Sequence, residues 1–229
     1  MLSFCQDIIT LCNCLNKKTI IKKKSFYNHA LLYKIVIVGE SDSGKTSLCQ
    51  RYVYHSYIPK KQKVMVGIDY YVKEFFWKNN IPIVMELWEI SEKERYNNNR
   101  DIRLEYYYGA SGILITCEVN ILFNIYHEEE CCNNKDNHYF FSSKDKLNFW
   151  INDIQQSCRK ESIPFILVIT KCDDPSIDQN EIFKKANIIA KKFGFTDFIL
   201  TSSKKNKNID AVFDILLHNI YLQFNHNFL

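Results

Sequence analysis

The sequence predicts an α/β fold built on a mostly parallel sheet. Strand-like hydrophobic segments alternate with helical patterns along most of the chain, an order that favours parallel strands joined by helices. Several of these segments are uninterrupted apolar runs, as expected for strands buried on both faces. With 229 residues, the chain has room for one domain and a sizeable insertion.

Six segments are predicted as strands and four long segments as helices. The predicted strands are residues 33–38, 69–76, 81–90, 112–117, 165–169 and 198–200. The predicted helices are residues 45–54, 144–161, 179–193 and 209–224. Lys78-Asn79-Asn80 is predicted as a hairpin turn between the second and third strands, so one strand pair is antiparallel.

Two segments do not follow this alternation. Residues 1–30 are predicted as an N-terminal extension that precedes the domain at 31–224, and residues 225–229 as a short tail. Residues 121–143 are polar, aromatic and acidic, so they are predicted as a surface insertion without fixed structure between a strand and a helix.

Composition excludes several classes of protein. A formal charge of +4, from 30 Lys and Arg against 26 Asp and Glu, is too balanced to indicate a nucleic-acid partner. No apolar run approaches the roughly 20 residues of a membrane-spanning helix. Nine cysteines, an odd number, are typical of reduced thiols and predict a cytoplasmic location.

The strongest motif is a G-x-x-x-x-G-K-[ST] match that lies between the first strand and the following helix. Backbone amides of such a loop can hold phosphate oxygens, and the helix N-terminus adds positive potential. Lys45 can reach the β- and γ-phosphates, and the Thr46 hydroxyl can ligate Mg²⁺. The candidate nucleotide-binding residues here are Gly39, Ser41, Asp42, Ser43, Gly44, Lys45, Thr46 and Ser47.

A second pair of loops predicts recognition of a guanine base. Thr170-Lys171-Cys172-Asp173 follows the fifth predicted strand, and the Asp173 carboxylate can accept N1–H and the exocyclic amine of guanine, a pair that adenine lacks. The Lys171 stem can lie over the base. The next loop, after the sixth strand, contributes the candidates Ser202, Ser203 and Lys204, one of which can offer a backbone amide to guanine O6.

Together these motifs resemble the Ras superfamily of small GTPases, and among them the Rab branch. Leu87-Trp88-Glu89-Ile90-Ser91-Glu92-Lys93-Glu94-Arg95-Tyr96 resembles the Rab stretch Leu-Trp-Asp-Thr/Ile-Ala-Gly-Gln-Glu-Arg-Phe/Tyr, and Phe149-Trp150 resembles the start of the Rab third helix. The resemblance implies a P-loop NTPase fold of Ras type: six strands with one antiparallel edge strand, and five helices on both faces. It further implies GTP and GDP binding with Mg²⁺, a role in vesicle trafficking, and effectors and an exchange factor that contact the switch region near Trp77 and Trp88.

Departures from the family pattern cluster where the γ-phosphate would bind. Met65 stands at the Mg²⁺-binding threonine, and Glu89 at the aspartate that holds Mg²⁺ through water. Glu92 replaces the glycine whose amide contacts the γ-phosphate, and Lys93 replaces the glutamine that orients the attacking water. Asp42 adds a negative charge inside the phosphate loop. These changes predict an intact grip on guanine and the β-phosphate, with weak GTP hydrolysis.

Three functions remain open on the sequence alone. The first is a Rab-like nucleotide-binding protein with impaired hydrolysis, and the second is a working GTPase that depends on an activating protein. The third is a non-hydrolysing or GDP-locked scaffold. A shifted register of the switch segments, with Glu94 in the role of the missing glutamine, is a further alternative.

Membrane attachment is an open question of the same kind. The last five residues contain no cysteine for prenylation. Cys5, Cys12 and Cys14 lie close to a lysine-rich stretch, so acylation plus a basic patch could give peripheral association with an endomembrane. The alternative is a leader without a defined structure.

Overall fold

The computed structural model describes residues 26–27, 29–59, 67–96, 100–130, 143–158 and 163–226. The chain divides into two compact units. The larger comprises residues 34–72 and 86–229, and the smaller comprises residues 1–33 and 73–85. All candidate site residues belong to the larger unit.

The strands are β1 (Leu31–Gly39), β2 (Ile68–Trp77), β3 (Ile81–Ile90), β4 (Gly112–Glu118), β5 (Phe165–Thr170) and β6 (Asp197–Leu200). They form one sheet in the order β2-β3-β1-β4-β5-β6. Strands β1, β4, β5 and β6 pair in parallel, with Ile37 opposite Leu114 and Leu167 opposite Phe198. One strand is antiparallel. The predicted fold class is confirmed, and each predicted strand is found within two residues of its predicted bounds.

The helices are α1 (Lys45–Tyr54), α2 (Arg100–Tyr107), α3 (Val119–Glu130), α4 (Ser143–Ser157), α5 (Gln179–Phe193) and α6 (Ile209–His226). Helix α4 stops at Ser157, before the predicted end at residue 161, and Trp150 lies in its middle rather than at its start. The described residues thus hold six α-helices where the family resemblance implied five. None of these helices is long and apolar enough to cross a membrane.

Local chemistry explains where the helices begin and end. Helix α5 starts at an Asp178 N-cap whose carboxylate accepts from the Asn180 amide, and it ends at Gly194 in the left-handed conformation, with φ of 72°. Helix α1 starts after Gly44, whose φ of 91° also lies in the left-handed region. The phosphate loop therefore runs directly into a helix N-terminus.

The core of the larger unit consists of apolar side chains of the parallel strands and of the helices packed on them. Ile37, Ile115 and Leu167 are fully buried, and the Trp150 indole is 2% exposed. The Tyr52 and Phe213 rings stack between α1 and α6, with centroids 3.6 Å apart. This packing fixes the strand ends that carry the site.

The prediction of a surface insertion without fixed structure is wrong for residues 121–130, which lie in α3. Leu122 and Ile125 of this helix are buried. The Lys185 ammonium of α5 lies 4.1 Å from the Phe123 ring centroid of α3 and 2.8 Å from Glu181. These tertiary contacts hold a helix whose acidic composition suggested a loop. Residues 131–142 lie outside the described residues.

The smaller unit contains the tip of the β2–β3 hairpin. The Phe26 ring packs edge-on against Phe76, with centroids 5.2 Å apart, and the Tyr27 hydroxyl donates to Glu74. The turn predicted between the strands is a short 3-10 segment, Lys78–Asn80, that contains residues with positive φ. The predicted hairpin turn is confirmed.

Candidate nucleotide-binding site

The candidate site is formed by the loops that follow β1, β5 and β6, together with the end of β4, which runs directly into α3. The carboxyl ends of parallel strands meet at one edge of a sheet, which is where ligands bind in open α/β folds. The chain after β1 is the predicted phosphate loop, residues 39–46.

The phosphate loop packs against β4 without room for larger residues. A Cβ atom on Gly39 would lie 2.4 Å from the Thr116 carbonyl oxygen, and Gly39 has a φ of 144°. The hydroxyls of Ser43 and Thr116 share a hydrogen bond of 2.6 Å, and Thr116 also donates to the Val38 carbonyl at 3.2 Å. Strand β4 therefore fixes the conformation of the loop.

Two side chains, one from α1 and one from α4, form further hydrogen bonds to the loop. The buried Lys45 ammonium donates to the carbonyl oxygens of Gly39 and Glu40, each at 2.8 Å. The Lys45 side chain thus spans the loop, and its ammonium places a positive charge beside the N-terminus of α1. The Trp150 indole donates to the Glu40 carboxylate at 3.1 Å. Asp42 is exposed and has a φ of 59°.

Thr46 and Glu89, the predicted magnesium residues, lie together. The Thr46 hydroxyl donates to Glu89 Oε1 at 2.5 Å, and the Tyr71 hydroxyl donates to Glu89 Oε2 at 3.3 Å. Glu89 is 1% exposed, and this burial raises the pKa of its carboxyl, although the Thr46 bond and the Lys45 charge act in the opposite direction. A hydroxyl and a carboxylate are hard oxygen donors, which fit Mg²⁺. Met65 lies outside the described residues.

The segment after β3 contacts the phosphate loop through Glu92. The Ser41 backbone amide donates to Glu92 Oε2 at 2.9 Å. Lys93 is exposed, and its backbone amide donates to the Ser91 hydroxyl at 3.3 Å. Glu94 accepts a hydrogen bond from the Tyr106 hydroxyl at 3.1 Å. Of the three charged side chains here, Glu92 is therefore the one shown to reach the loop.

The predicted base-binding residues converge as well. The Ser202 hydroxyl donates to Asp173 Oδ1 at 2.7 Å, and the Lys204 ammonium lies 3.9 Å from Asp173 Oδ2. Lys171 has a φ of 59°, and its ammonium lies 2.7 Å from the Glu118 carboxylate. The Asp173 carboxylate is thus oriented by one hydroxyl and keeps acceptor capacity for a ligand.

A cavity of about 460 Å³ joins these loops. Its walls include Gly44 and Ser47 from the phosphate-loop side, and Lys171, Asp173 and Ser203 from the base side. Thr170 ties the two sides together, because its hydroxyl donates to the Ser43 carbonyl at 2.7 Å. One cavity thus borders both the glycine-rich loop and the Asp173 carboxylate, the two motifs that are predicted to share a nucleotide.

Sequence reasoning missed four residues of this site. Tyr57 lines the cavity, and the Arg51 guanidinium lies 5.7 Å from its ring centroid while donating to the Ser203 carbonyl at 2.8 Å. Glu118 holds Lys171, and Tyr71 holds Glu89. None of the four belongs to a motif that was predicted to bind nucleotide, although the position of Glu118 at the end of β4, on the ligand-binding edge, was an available signal.

Comparison with known proteins identifies the family. Residues 34–173 match the family described as Ras of Complex, Roc, domain of DAPkinase, and residues 140–222 match the Ras family. Ras-related protein Rab-7L1 of Homo sapiens is 31% identical over 196 residues, which cover 82% of this chain and 82% of that protein. Ras-related protein Rab-32 of Mus musculus is 28% identical over 192 residues, which cover 82% and 75%. Ras-related protein Rab-32A of Dictyostelium discoideum is 28% identical over 196 residues, which cover 82% and 78%.

These matches span most of the chain and include the loops that form the cavity. The chain belongs to the Ras superfamily of small GTPases and is of Rab type.

Proposed function

We propose that this protein binds GDP and GTP with Mg²⁺, acts in vesicle trafficking as Rab-like proteins do, and hydrolyses GTP slowly. The observation that carries the proposal is the shared cavity, which is lined by Gly44 of the phosphate loop and by Asp173, while a hydrogen bond from Thr170 joins the two loops. A ligand that fills it needs a phosphate chain at one end and a guanine-like edge at the other.

Each residue has a defined part in this binding. The loop amides and Lys45 would hold phosphate oxygens, because they present positive potential at the start of α1. Asp173 would read the guanine edge, oriented by Ser202. Tyr57 would pack against the base or ribose from the cavity wall.

Thr46 and Glu89 would hold Mg²⁺, which neutralises phosphate charge when it is bound. Glu89 reaches the Thr46 hydroxyl directly, so its carboxylate lies where the donor set of the ion would be. Tyr71 keeps the second carboxylate oxygen in place. Burial of Glu89 favours its protonated form, and a divalent cation would counter that preference.

Slow hydrolysis follows from Lys93. An ammonium group cannot accept a hydrogen bond from water, so Lys93 cannot orient a nucleophile as the family glutamine does. Its side chain is exposed. Glu94 is the other candidate for this role, and its carboxylate already accepts from Tyr106.

Partners would bind on the surface beside the nucleotide. The Tyr70 side chain is 50% exposed, and its ring packs edge-on against Trp88, with centroids 5.7 Å apart. The Lys34 ammonium lies 4.1 Å from the Trp88 ring centroid. Aromatic residues are enriched at protein interfaces, so this patch suits an effector or exchange factor. Peripheral membrane contact through Cys5, Cys12 or Cys14 remains part of the proposal, and these residues lie outside the described residues.

A second candidate function is a GDP-locked or non-hydrolysing scaffold. The contact of Glu92 with the Ser41 amide favours it, because an anionic side chain lies on the loop that a third phosphate would need. Mass spectrometry of nucleotide released from the purified full chain tests whether the protein binds nucleotide, and GDP that persists after loading with GTP favours the GDP-locked candidate. GDP or GTP in near-equal molar amount supports nucleotide binding, and protein that takes up neither at micromolar concentration with Mg²⁺ refutes it.

Single-turnover hydrolysis of bound GTP tests the catalytic part of the proposal. We expect slow turnover by the wild type and faster turnover by the double variant Glu92→Gly with Lys93→Gln. Adding an activating protein would reveal a GTPase that depends on help in trans. An unchanged rate in the double variant would show that these two residues are not the cause of slow hydrolysis.

A further inference from the structure

The Glu92 carboxylate is held in place on the phosphate loop. It accepts from the Ser41 amide at 2.9 Å, and it belongs to the first residue of the 3-10 segment Glu92–Tyr96. The preceding residue is fixed as well, since the Ser91 amide donates to the Gly67 carbonyl at 3.0 Å. The bond therefore joins the loop after β1 to the segment after β3.

A carboxylate and a terminal phosphate are equivalent acceptors for a backbone amide. Both present anionic oxygens, and charge-assisted bonds to either are stronger than neutral ones. The Lys45 ammonium is also bound to the phosphate loop at the Gly39 and Glu40 carbonyl oxygens, directly before Ser41. The Glu92 carboxylate therefore lies at the part of the phosphate loop, next to the Lys45 ammonium, that a longer phosphate chain would reach.

We propose that Glu92 is a tethered substitute for the terminal phosphate, so that this protein selects nucleoside diphosphate over triphosphate. A diphosphate binds while Glu92 stays on Ser41, whereas a third phosphate must displace the carboxylate. This inference rests on the proposed nucleotide binding and goes beyond it by assigning the selectivity to one side chain.

The same contact reverses the usual direction of a nucleotide switch. In GTPases the γ-phosphate orders the switch segments, and its loss releases them. Here the segment Glu92–Tyr96 is attached to the phosphate loop by its own carboxylate, so the diphosphate form holds it and the triphosphate frees it. The attached segment is the surface that partners would recognise in the diphosphate state.

Titration of the nucleotide-free full chain with GDP and with the non-hydrolysable analogue GppNHp, both with Mg²⁺, tests the selectivity. We expect the wild type to bind GDP at least about tenfold more tightly than GppNHp, the size of one charge-assisted hydrogen bond. Glu92→Ala should raise GppNHp affinity about tenfold and change GDP affinity less than about threefold. Glu92→Gln, which keeps an acceptor oxygen without the charge, should fall between the two.

Glu105→Gln is the matched control, because it removes an exposed carboxylate of α2 and should keep the wild-type ratio. Hydrogen exchange of residues 92–96 should be faster with GppNHp than with GDP in the wild type and equal in Glu92→Ala. Equal affinities for the two nucleotides in the wild type, or a ratio that Glu92→Ala leaves unchanged, would overturn the inference while leaving nucleotide binding intact. Binding of neither nucleotide would overturn the proposed function and this inference with it.

Discussion

Replacing Asp173 with asparagine should abolish the preference for guanine. The Asp173 side chain is 17% exposed, and its Oδ1 accepts a hydrogen bond of 2.7 Å from the Ser202 hydroxyl. The remaining acceptor capacity would receive N1–H and the exocyclic amine of guanine. Each hydrogen bond to a charged group contributes about 1.5–3 kcal/mol, so losing both costs about 3–6 kcal/mol, or roughly 10²–10⁴ in GDP affinity.

Inosine diphosphate, which lacks the exocyclic amine, isolates one of these bonds. In the wild type it should bind about 10–150-fold more weakly than GDP, the equivalent of one charged hydrogen bond. In Asp173→Asn the two nucleotides should bind within about threefold of each other, because the amine has lost its anionic acceptor. The four dissociation constants, from isothermal titration with Mg²⁺, form a double-mutant cycle.

Asp174→Asn is the control for this cycle. It removes the same charge one residue away, from a carboxylate that accepts the Ser176 amide at 2.9 Å and hydroxyl at 2.6 Å. The ratio of GDP to inosine diphosphate affinity should stay at the wild-type value. A wild type that binds both nucleotides equally, or an Asp173→Asn variant that keeps its guanine preference, would refute the assignment of Asp173 to the base.

Three further predictions concern the packing around the site. Gly39→Ala should weaken GDP binding more than tenfold and lower the free energy of unfolding by about 2–5 kcal/mol, since its Cβ would clash with β4. The control Gly109→Ala has open space around it and should lower the free energy of unfolding by only about 1 kcal/mol in urea. Equal losses of stability in the two variants would contradict the clash. Phe123→Leu should lower the free energy of unfolding by about 1–2 kcal/mol, because the buried Lys185 ammonium loses the nearer of two rings, Tyr126 being the other at 5.0 Å. An unchanged urea midpoint would contradict this. Burial raises the pKa of Cys172 to about 11, so about one thiol in a thousand is thiolate at pH 8. Mass spectrometry after treatment with iodoacetamide at pH 8 should therefore find Cys172 unmodified in the folded protein. Rapid labelling of Cys172 would contradict its burial.

The strands were predictable because their signal is local. Uninterrupted apolar runs such as residues 165–169 are typical of strands that are buried on both faces in a parallel sheet, and the glycine-rich motif marks the end of β1. Helix α3 was not predictable in this way. Its buried Leu122 and Ile125 are followed by the acidic run at residues 128–130, which dominated the prediction of a loop, and its position depends on Lys185, which lies far away in the sequence. Tertiary contact there overrides local composition.

The candidate site likewise contains residues that a local motif predicts and residues that only the folded chain brings there. Lys45, Thr46 and Asp173 belong to motifs with fixed spacing, so the sequence alone is enough to predict a nucleotide-binding role for them. Tyr57 lines the cavity without any motif around it. For Glu92 the sequence shows only that it replaces a glycine of the family pattern. The structure adds the Ser41 amide that its carboxylate contacts, and this partner depends on the folding of two distant loops.

Thr170 explains how binding could persist when hydrolysis is impaired. Its hydroxyl donates to the Ser43 carbonyl at 2.7 Å, so the phosphate loop and the base loop form one hydrogen-bonded structure anchored on β5. Glu92 reaches that structure from β3 through the Ser41 amide, on the other arm of the loop. On these proposals, replacing Glu92 would change how a third phosphate is accommodated, whereas replacing Thr170 would remove the hydrogen bond that joins the phosphate loop to the base loop. On the two proposals above, selectivity for phosphate number and affinity for guanine would depend on separate contacts and could vary independently.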